Sequence, residues 1–459
     1  MRYIVFSYET NNVSSYNSTT INRVPDLGGK GENVSQDEKE QSNGIGSKTS
    51  VTRKRRTRVP DKSNVSISLW SIMKNCIGKN LTQIPFPVNY SEPTSMLQRI
   101  VEDFEYSDIL YRAAQCEDAL EQLAYVAAFT VSAYAITAVR TGKPFNPLLG
   151  ETYECDRSED KHFRLITEQV SHHPPMLAQY CESSSPDTTP GEVWKCWQEF
   201  TMRSQFMGVY LDVVPLGIAH LVFPKSGNHY TWRKVTTTVH NVVAGKLWID
   251  QHGEMEVINH HTGDICHMKF VPYSYFGGGS KKVKGTITNE NNKVKWVLNG
   301  TWDSTLEGSR VVGESTTKGK SNLEIEDSKV LWKVNPPYPG SENFYNFTQF
   351  TCELNEEEEG VAPTDCRLRP DQRLMENGSW EEANKEKVRL EEKQRAVRRK
   401  RELDAEKASA EGRTYEGHKP VWFKKEKDEE NGQKLIYVYS GGYWEAKEKQ
   451  NWDMCPDIY

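Results

Sequence analysis

The sequence predicts a mainly β protein with flanking helices, an α+β chain, and three patterns carry that prediction. Between about 150 and 350, runs rich in Val, Ile, Thr and Trp are cut by turn signals such as Gln251-His252-Gly253, Thr262-Gly263-Asp264 and Asn289-Glu290-Asn291-Asn292. Before that region, from Pro93 to Arg140, apolar residues recur at helical spacing. After it, a turn at Asn377-Gly378 opens about 30 residues that are charged nearly all round.

In chain order, residues 1 to about 60 are rich in Asn, Ser, Gly, Lys and Glu and end in Arg53-Lys54-Arg55-Arg56-Thr57-Arg58. That composition predicts a disordered arm with a basic end, the basic run serving as a solvated linker or a membrane-surface element. From Val65 to Pro87, greasy positions including Trp70, Ile77, Leu81 and Ile84 are mixed with polar stretches, so the segment needs something to cover. Leu97, Ile100, Val101 and Phe104 recur at three and four, as do Leu120, Leu123, Ala124 and Ala127, predicting two or more helices over about 93–140. Leu123 to Val139 carries no charge for 17 residues, the lower limit for a membrane span. Its six alanines, with Thr130, Ser132, Tyr134 and Thr137, favour a buried core helix.

Within the β region, apolar and polar side chains alternate along Cys266-His267-Met268-Lys269-Phe270, and again as Val283, Gly285 and Ile287 against Lys282, Lys284 and Thr286. One face is dry and the other wet, as in the wall of a barrel or sandwich. No βαβ rhythm or fixed-period repeat accompanies it. Ser379-Trp380-Glu381-Glu382 reads as a capping box that starts a helix over about 380–410, held by ion pairs four residues apart. The tail, 420–459, carries Trp422, Phe423, Tyr437, Tyr439, Tyr443, Trp444 and Trp452, which are expected to pack back onto the β region.

A formal net charge of -6 gives no general attraction to nucleic acid or anionic membrane, so such contacts need local basic clusters. The nine cysteines are scattered without a C-x-x-C pair, which reads as a reducing compartment and predicts no disulfide framework. The few apolar residues after Met1 are too short a stretch for a signal peptide.

Three segments carry chemistry. Thr141 to Glu151 holds two prolines and two glycines, which stiffen a loop bearing Lys143 and Asn146. Glu168-Gln169-Val170-Ser171-His172-His173-Pro174-Pro175 presents adjacent imidazoles. Lys387, Glu391 and Arg395 are spaced by four and share one helix face. Brought together, the lysines, arginine and histidines would donate charge-assisted hydrogen bonds to a phosphate, with Glu391 orienting Lys387 or accepting a sugar hydroxyl. Taken singly, a histidine pair is a common structural feature and a Lys-Glu-Arg row a common solvated ladder. A metal at His172-His173 lacks further ligands nearby, and His260-His261 at a turn reads as strand-end hydrogen bonding. No catalytic nucleophile motif, P-loop or dinucleotide fingerprint is present, and no cofactor is predicted.

The segment Glu168 to Pro175 resembles the signature of the oxysterol-binding protein family in full. Lys143 to Glu151, Thr364-Asp365-Cys366-Arg367-Leu368-Arg369-Pro370-Asp371 and Arg389-Leu390-Glu391-Glu392-Lys393-Gln394-Arg395 are similar to the same family, and the likeness runs from about Arg53 to Tyr459. The resemblance implies that 61–459 is a lipid-binding domain: a near-closed antiparallel β-barrel over about 150–350 around a hydrophobic tunnel, with a lid at about 65–87. It implies one sterol or oxysterol in the tunnel, or the chains of phosphatidylinositol 4-phosphate with the headgroup at the rim. Lys143, His172, His173, Lys387, Glu391 and Arg395 would hold that headgroup, with Asn146 adjoining. The implied role is sterol carriage in exchange for the phosphoinositide, without catalysis, in the cytosol at endoplasmic reticulum and Golgi membranes. Two features of the long family members, a pleckstrin-homology domain and a two-phenylalanine receptor-docking motif, are not recognised here. Two other roles compete: a sterol-responsive scaffold whose lid closes on ligand, and a phosphoinositide phosphohydrolase using His172 or His173.

Overall fold

The computed structural model of the chain describes residues 54–63, 88–274, 281–317 and 320–459, all within a unit running from Thr52 to Tyr459. The expected lid, with Trp70, Ile77, Leu81 and Ile84, lies outside the described residues.

A short parallel pair, β1 (Ser91–Ser95) and β2 (Lys143–Phe145), brackets the first helices. The main sheet begins with β3 (Thr152–Arg157), β4 (Phe163–His172), β5 (Pro175–Ser183) and β6 (Lys195–Phe200). It continues through β7 (Met202–Phe206), β8 (Leu211–Pro215), β9 (Ala219–Phe223), β10 (Asn228–Trp232), β11 (Thr236–His240) and β12 (Trp248–Asn259). It ends with β13 (Ile265–Phe270), β14 (Lys282–Thr288), β15 (Val294–Thr301), β16 (Thr305–Thr317), β17 (Lys320–Ile325) and β18 (Lys329–Lys333). The strands pair antiparallel in the order β17-β16-β15-β14-β13-β12-β10-β9-β6-β5-β4-β3, with β7, β8 and β11 branching from β12 and β18 lying on β16. The end strands β3 and β17 do not pair, so the wall is not a closed ring.

The sheet nevertheless curls, because Tyr153 and Cys155 of β3 belong to the same buried cluster as Leu306 of β16 and Leu331 of β18. Alternation produces that interior: along β13, Cys266, Met268 and Phe270 are buried while His267 and Lys269 are exposed. The last strand of this sheet stops at Lys333, short of 350, since Pro336, Pro337 and Pro339 cannot donate to a ladder.

Among the described residues, three α-helices precede the main sheet: α1 (Met96–Arg99), α2 (Asp108–Ala114) and α3 (Ala119–Ser132). Ser95 caps α1 in a capping box with Gln98, and the Asp118 carboxylate accepts the Leu120 amide at 3.0 Å to start α3. Along α3, Leu123, Val126, Phe129 and Val131 are buried in the interior cluster, worth roughly 1.5–3 kcal/mol for each large side chain. The uncharged stretch is therefore core: α3 packs on β12 to β16 and on β18.

Beyond β18 come α4 (Gln349–Glu353), α5 (Pro370–Glu376) and α6 (Trp380–Ala410). The capping box expected at Ser379 is not formed, since its side chain makes no cap hydrogen bond and its ψ of 67° is far from extended. Ser379 instead closes the end of α5, donating its amide to Leu374 O at 2.9 Å after Gly378, whose φ is +81°. The tail forms a hairpin, β19 (Phe423–Asp428) and β20 (Lys434–Tyr439), followed by α7 (Tyr443–Lys449). Its aromatic residues Trp422, Phe423, Tyr437 and Tyr443 bury Ile166 and Val170 of β4 on the outer face of the sheet.

The basic end of the expected disordered arm is docked. Arg55 pairs with Glu356 at 3.2 Å, Arg56 pairs with Glu376 at 2.8 Å, and Val59 is buried against Phe344 and Phe347. Partnered carboxylates, not solvent, receive these charges.

Candidate functional site

The loop before β3 is fixed from three sides. Arg369, itself paired with Asp371 and Glu151 at 2.7 and 3.0 Å, donates to Asn146 O at 2.8 Å. The Glu151 carboxylate accepts the Leu148 amide at 2.7 Å. Gln394 Oε1 accepts the Leu149 amide at 3.0 Å, which ties the loop to α6. Gly150 takes a φ of +82°, and a side chain there would meet Pro456 at 3.4 Å, so the turn suits glycine.

The signature strand β4 delivers both imidazoles to the same place. His172 Nε2 lies 2.8 Å from Gln394 Nε2, and Arg398 Nη1 lies 2.8 Å from His173 Nε2. At the other end of the signature, the buried Glu168 carboxylate accepts the Val421 and Trp422 amides at 2.8 and 2.9 Å and so anchors the tail.

On α6, Lys387 is bonded to Glu391, whose other oxygen pairs with Arg395 at 3.1 Å. Helix, loop, signature and tail enclose a cavity of about 990 Å³, and all seven residues named from the sequence, from Lys143 and Asn146 to Arg395, line it.

The electrostatics of this cavity favour an anion. Desolvation, then the neighbouring Lys387, push Lys143 down to about 8, with Glu391 opposing; the side chain still reaches solvent, but within the cavity walls. Burial, then His173 and Arg398, hold His172 down at about 4, so its imidazole is neutral at pH 7. His173 is lowered by burial and by Arg398. Each group carries less positive charge than it would beside a bound dianion, which would restore it. Among the described residues no cluster of three metal-ligating side chains is suited to a metal ion.

Three residues of the site, Gln394, Arg398 and Arg369, were not singled out in the sequence. Gln394 comes three residues after Glu391 and Arg398 four after Gln394, continuing the same face of α6, a periodicity that could have marked them. Arg369 has no such signal, because its partners Asn146 and Glu151 lie more than two hundred residues away.

A sequence model of the family described as Oxysterol-binding protein matches residues 68–448. The chain is 50% identical over 418 residues to Oxysterol-binding protein 2 of Mus musculus, covering 90% of this chain and 45% of that protein. It is 41% identical over 415 residues to Oxysterol-binding protein-related protein 1C of Arabidopsis thaliana, covering 88% and 47%. The chain thus spans about half the length of these relatives. The solved Osh1 ORD domain in complex with cholesterol is similar at a TM-score of 0.76 and 36% identity, covering 89% of this chain and 95% of that one. The Osh3 ORD of Saccharomyces cerevisiae in complex with PI(4)P is similar at a TM-score of 0.70 and 32% identity, covering 88% and 99%.

Proposed function

The chain belongs to the oxysterol-binding protein family, and from that premise we propose that it is a lipid carrier that exchanges a sterol for phosphatidylinositol 4-phosphate between membranes. The interior of the curled sheet would shelter the apolar ligand, at about 25 cal/mol per Å² of apolar surface removed from water. The phosphorylated headgroup would sit in the cavity outside it, on Lys143, His172, His173, Lys387 and Arg395, with Glu391 holding the two α6 cations and Asn146 adjoining.

The observation that carries this reading is the convergence of those residues from a loop, a strand and a helix on one cavity. The cholesterol-bound and PI(4)P-bound relatives of the same fold support both ligands. The role is binding rather than turnover, exercised in the cytosol by peripheral contact with endoplasmic reticulum and Golgi membranes.

Extraction of labelled cholesterol and phosphatidylinositol 4-phosphate from liposomes tests it, comparing wild type with His172→Ala/His173→Ala. Loss of the phosphoinositide with sterol extraction kept is expected. Retention of both lipids would return the histidines to a structural role, and a wild type that extracts neither would overturn the carrier reading.

A further inference from the structure

The basic run Arg53-Lys54-Arg55-Arg56-Thr57-Arg58 takes no part in the headgroup cavity. Over 54–63 the backbone forms neither helix nor strand, and separate contacts hold it against α4 and α5. Arg55 donates to Glu356 at 3.2 Å and to Asp156 O at 3.3 Å. Arg56 donates its backbone amide to the same Glu356 carboxylate and its Nε to Cys352 O, and its Nη2 pairs with Glu376 at 2.8 Å. Further along, Val59 is buried beside Phe344 and Phe347, and the Lys62 amide donates to Asn343 O at 2.9 Å.

Thr57 stands apart from these contacts. Its side chain is exposed, and its hydroxyl has no hydrogen-bond partner among the described residues. Arg58, on its other side, pairs with Asp61 and lies over the Phe344 ring at 5.3 Å. A free hydroxyl in irregular backbone, directly preceded by four cations, is what a protein kinase with an acidic substrate groove reads. Two of those cations, Arg55 and Arg56, are engaged by Glu356 and Glu376 in the docked arm, so the run becomes readable when the arm lifts.

We infer that Thr57 is a phosphorylation site, and that its modification holds the basic arm off α4 and α5. In the step itself Thr57 Oγ1 bonds to the γ-phosphorus of ATP as the bond from that phosphorus to ADP breaks, and the hydroxyl proton passes to the catalytic aspartate of the kinase. The product carries a charge of about -1.5 to -2 between Arg56 and Arg58. That charge offsets about half of what Lys54, Arg55, Arg56 and Arg58 bring to the surface. It also repels the receiving carboxylates, Glu356 and Glu376, which are 9% and 4% exposed. Its oxygens compete for the guanidinium forks that those carboxylates hold. Opening precedes modification, and the phosphate then makes the open arrangement the favoured one.

The test incubates the full chain with ATP and the catalytic subunit of a kinase that selects basic residues two and three positions before its acceptor, and locates the phosphate by mass spectrometry. Wild type is expected to carry it at Thr57, and Thr57→Val to lose that share of the incorporation. Glu356→Gln, which weakens docking, should speed modification by about fivefold, the scale of one charge-assisted hydrogen bond. Val59→Ser loosens the same arm without touching an ion pair and should speed it as well. The Arg56 and Lys62 amides report docking directly, and their hydrogen exchange should rise about tenfold in the phosphorylated chain and return after phosphatase treatment. No phosphate at Thr57 in wild type or in Glu356→Gln would overturn the site. Equal modification rates in wild type and both variants would overturn the link to docking. Exchange that slows on phosphorylation would mean that the phosphate clamps Arg56 and Arg58 in place, and would overturn the release.

Discussion

Gln394 and His172, separated by 222 residues, meet with their Nε2 atoms 2.8 Å apart. Because Gln394 Oε1 already accepts the Leu149 amide, its Nε2 is the donor and His172 Nε2 the acceptor. His172 therefore carries its proton on Nδ1. One amide thus fixes the tautomer of the first signature histidine and the height of the loop that follows β2 and Lys143. Gln394→Leu should lower phosphoinositide extraction by roughly fivefold, the equivalent of about 1 kcal/mol for one hydrogen bond, and leave sterol extraction unchanged. Parallel loss of both lipids would show that Gln394 acts on the fold instead.

Lys143 supplies a pH dependence. Its pKa near 8 in the unliganded protein means that a headgroup phosphate, which favours the ammonium form, must raise it on binding. Binding then draws in a proton above about pH 8, and affinity falls as pH rises through that range. Titration of the headgroup at pH 7 to 9.5 should show this fall in wild type and not in Lys143→Arg, whose guanidinium stays charged. Identical pH profiles for the two would refute the assignment.

Arg140, just before the loop, is 1% exposed and is the hub of a buried ionic group. It grips Glu92 at 2.6 and 2.9 Å and Glu102 at 2.5 Å, and lies over the Phe347 ring. Removing it leaves the buried Glu92 and Glu102 with Arg99 as their remaining cation, at 2.8 and 3.8 Å, so Arg140→Leu should cost about 3 kcal/mol in chemical denaturation. Neutralising both partners, as Glu92→Gln/Glu102→Gln on the Arg140→Leu background, should recover a measurable part. No recovery would mean that packing against Phe347, not charge, is what Arg140 provides.

Local patterns were legible in the sequence where the physics is local. The two-residue alternation of Cys266 to Phe270 survives as burial along β13, and the spacing of Lys387, Glu391 and Arg395 places them on one face of α6. The signature histidines could be paired with that face only through the family resemblance, because nothing in the residues themselves says that position 172 meets position 394. The docking of Arg55 and Arg56 was hidden for the same reason, their carboxylates lying three hundred residues on. Ser379 shows a different limit: the motif for starting a helix was present, but the preceding helix had already claimed that turn.

Glu168, the acid that opens the signature segment, anchors the tail. Its carboxylate accepts two backbone amides of the tail, at Val421 and Trp422, and it is completely buried. Burial raises it to about 7 against the opposing pull of those amides. A carboxyl raised in the fold binds its proton there more tightly than in the unfolded chain. Its contribution is therefore full below about pH 4.5 and is lost as pH rises through 7. Over that window the single group withdraws about 3 kcal/mol of stability. Glu168→Gln keeps one acceptor oxygen for two amides and cannot ionise. It should be less stable than wild type at pH 5, and the gap should close as pH rises to 8. Denaturation midpoints of the two proteins at pH 5, 6, 7 and 8 decide the matter: curves that stay parallel would mean that Glu168 holds the tail without titrating in this range.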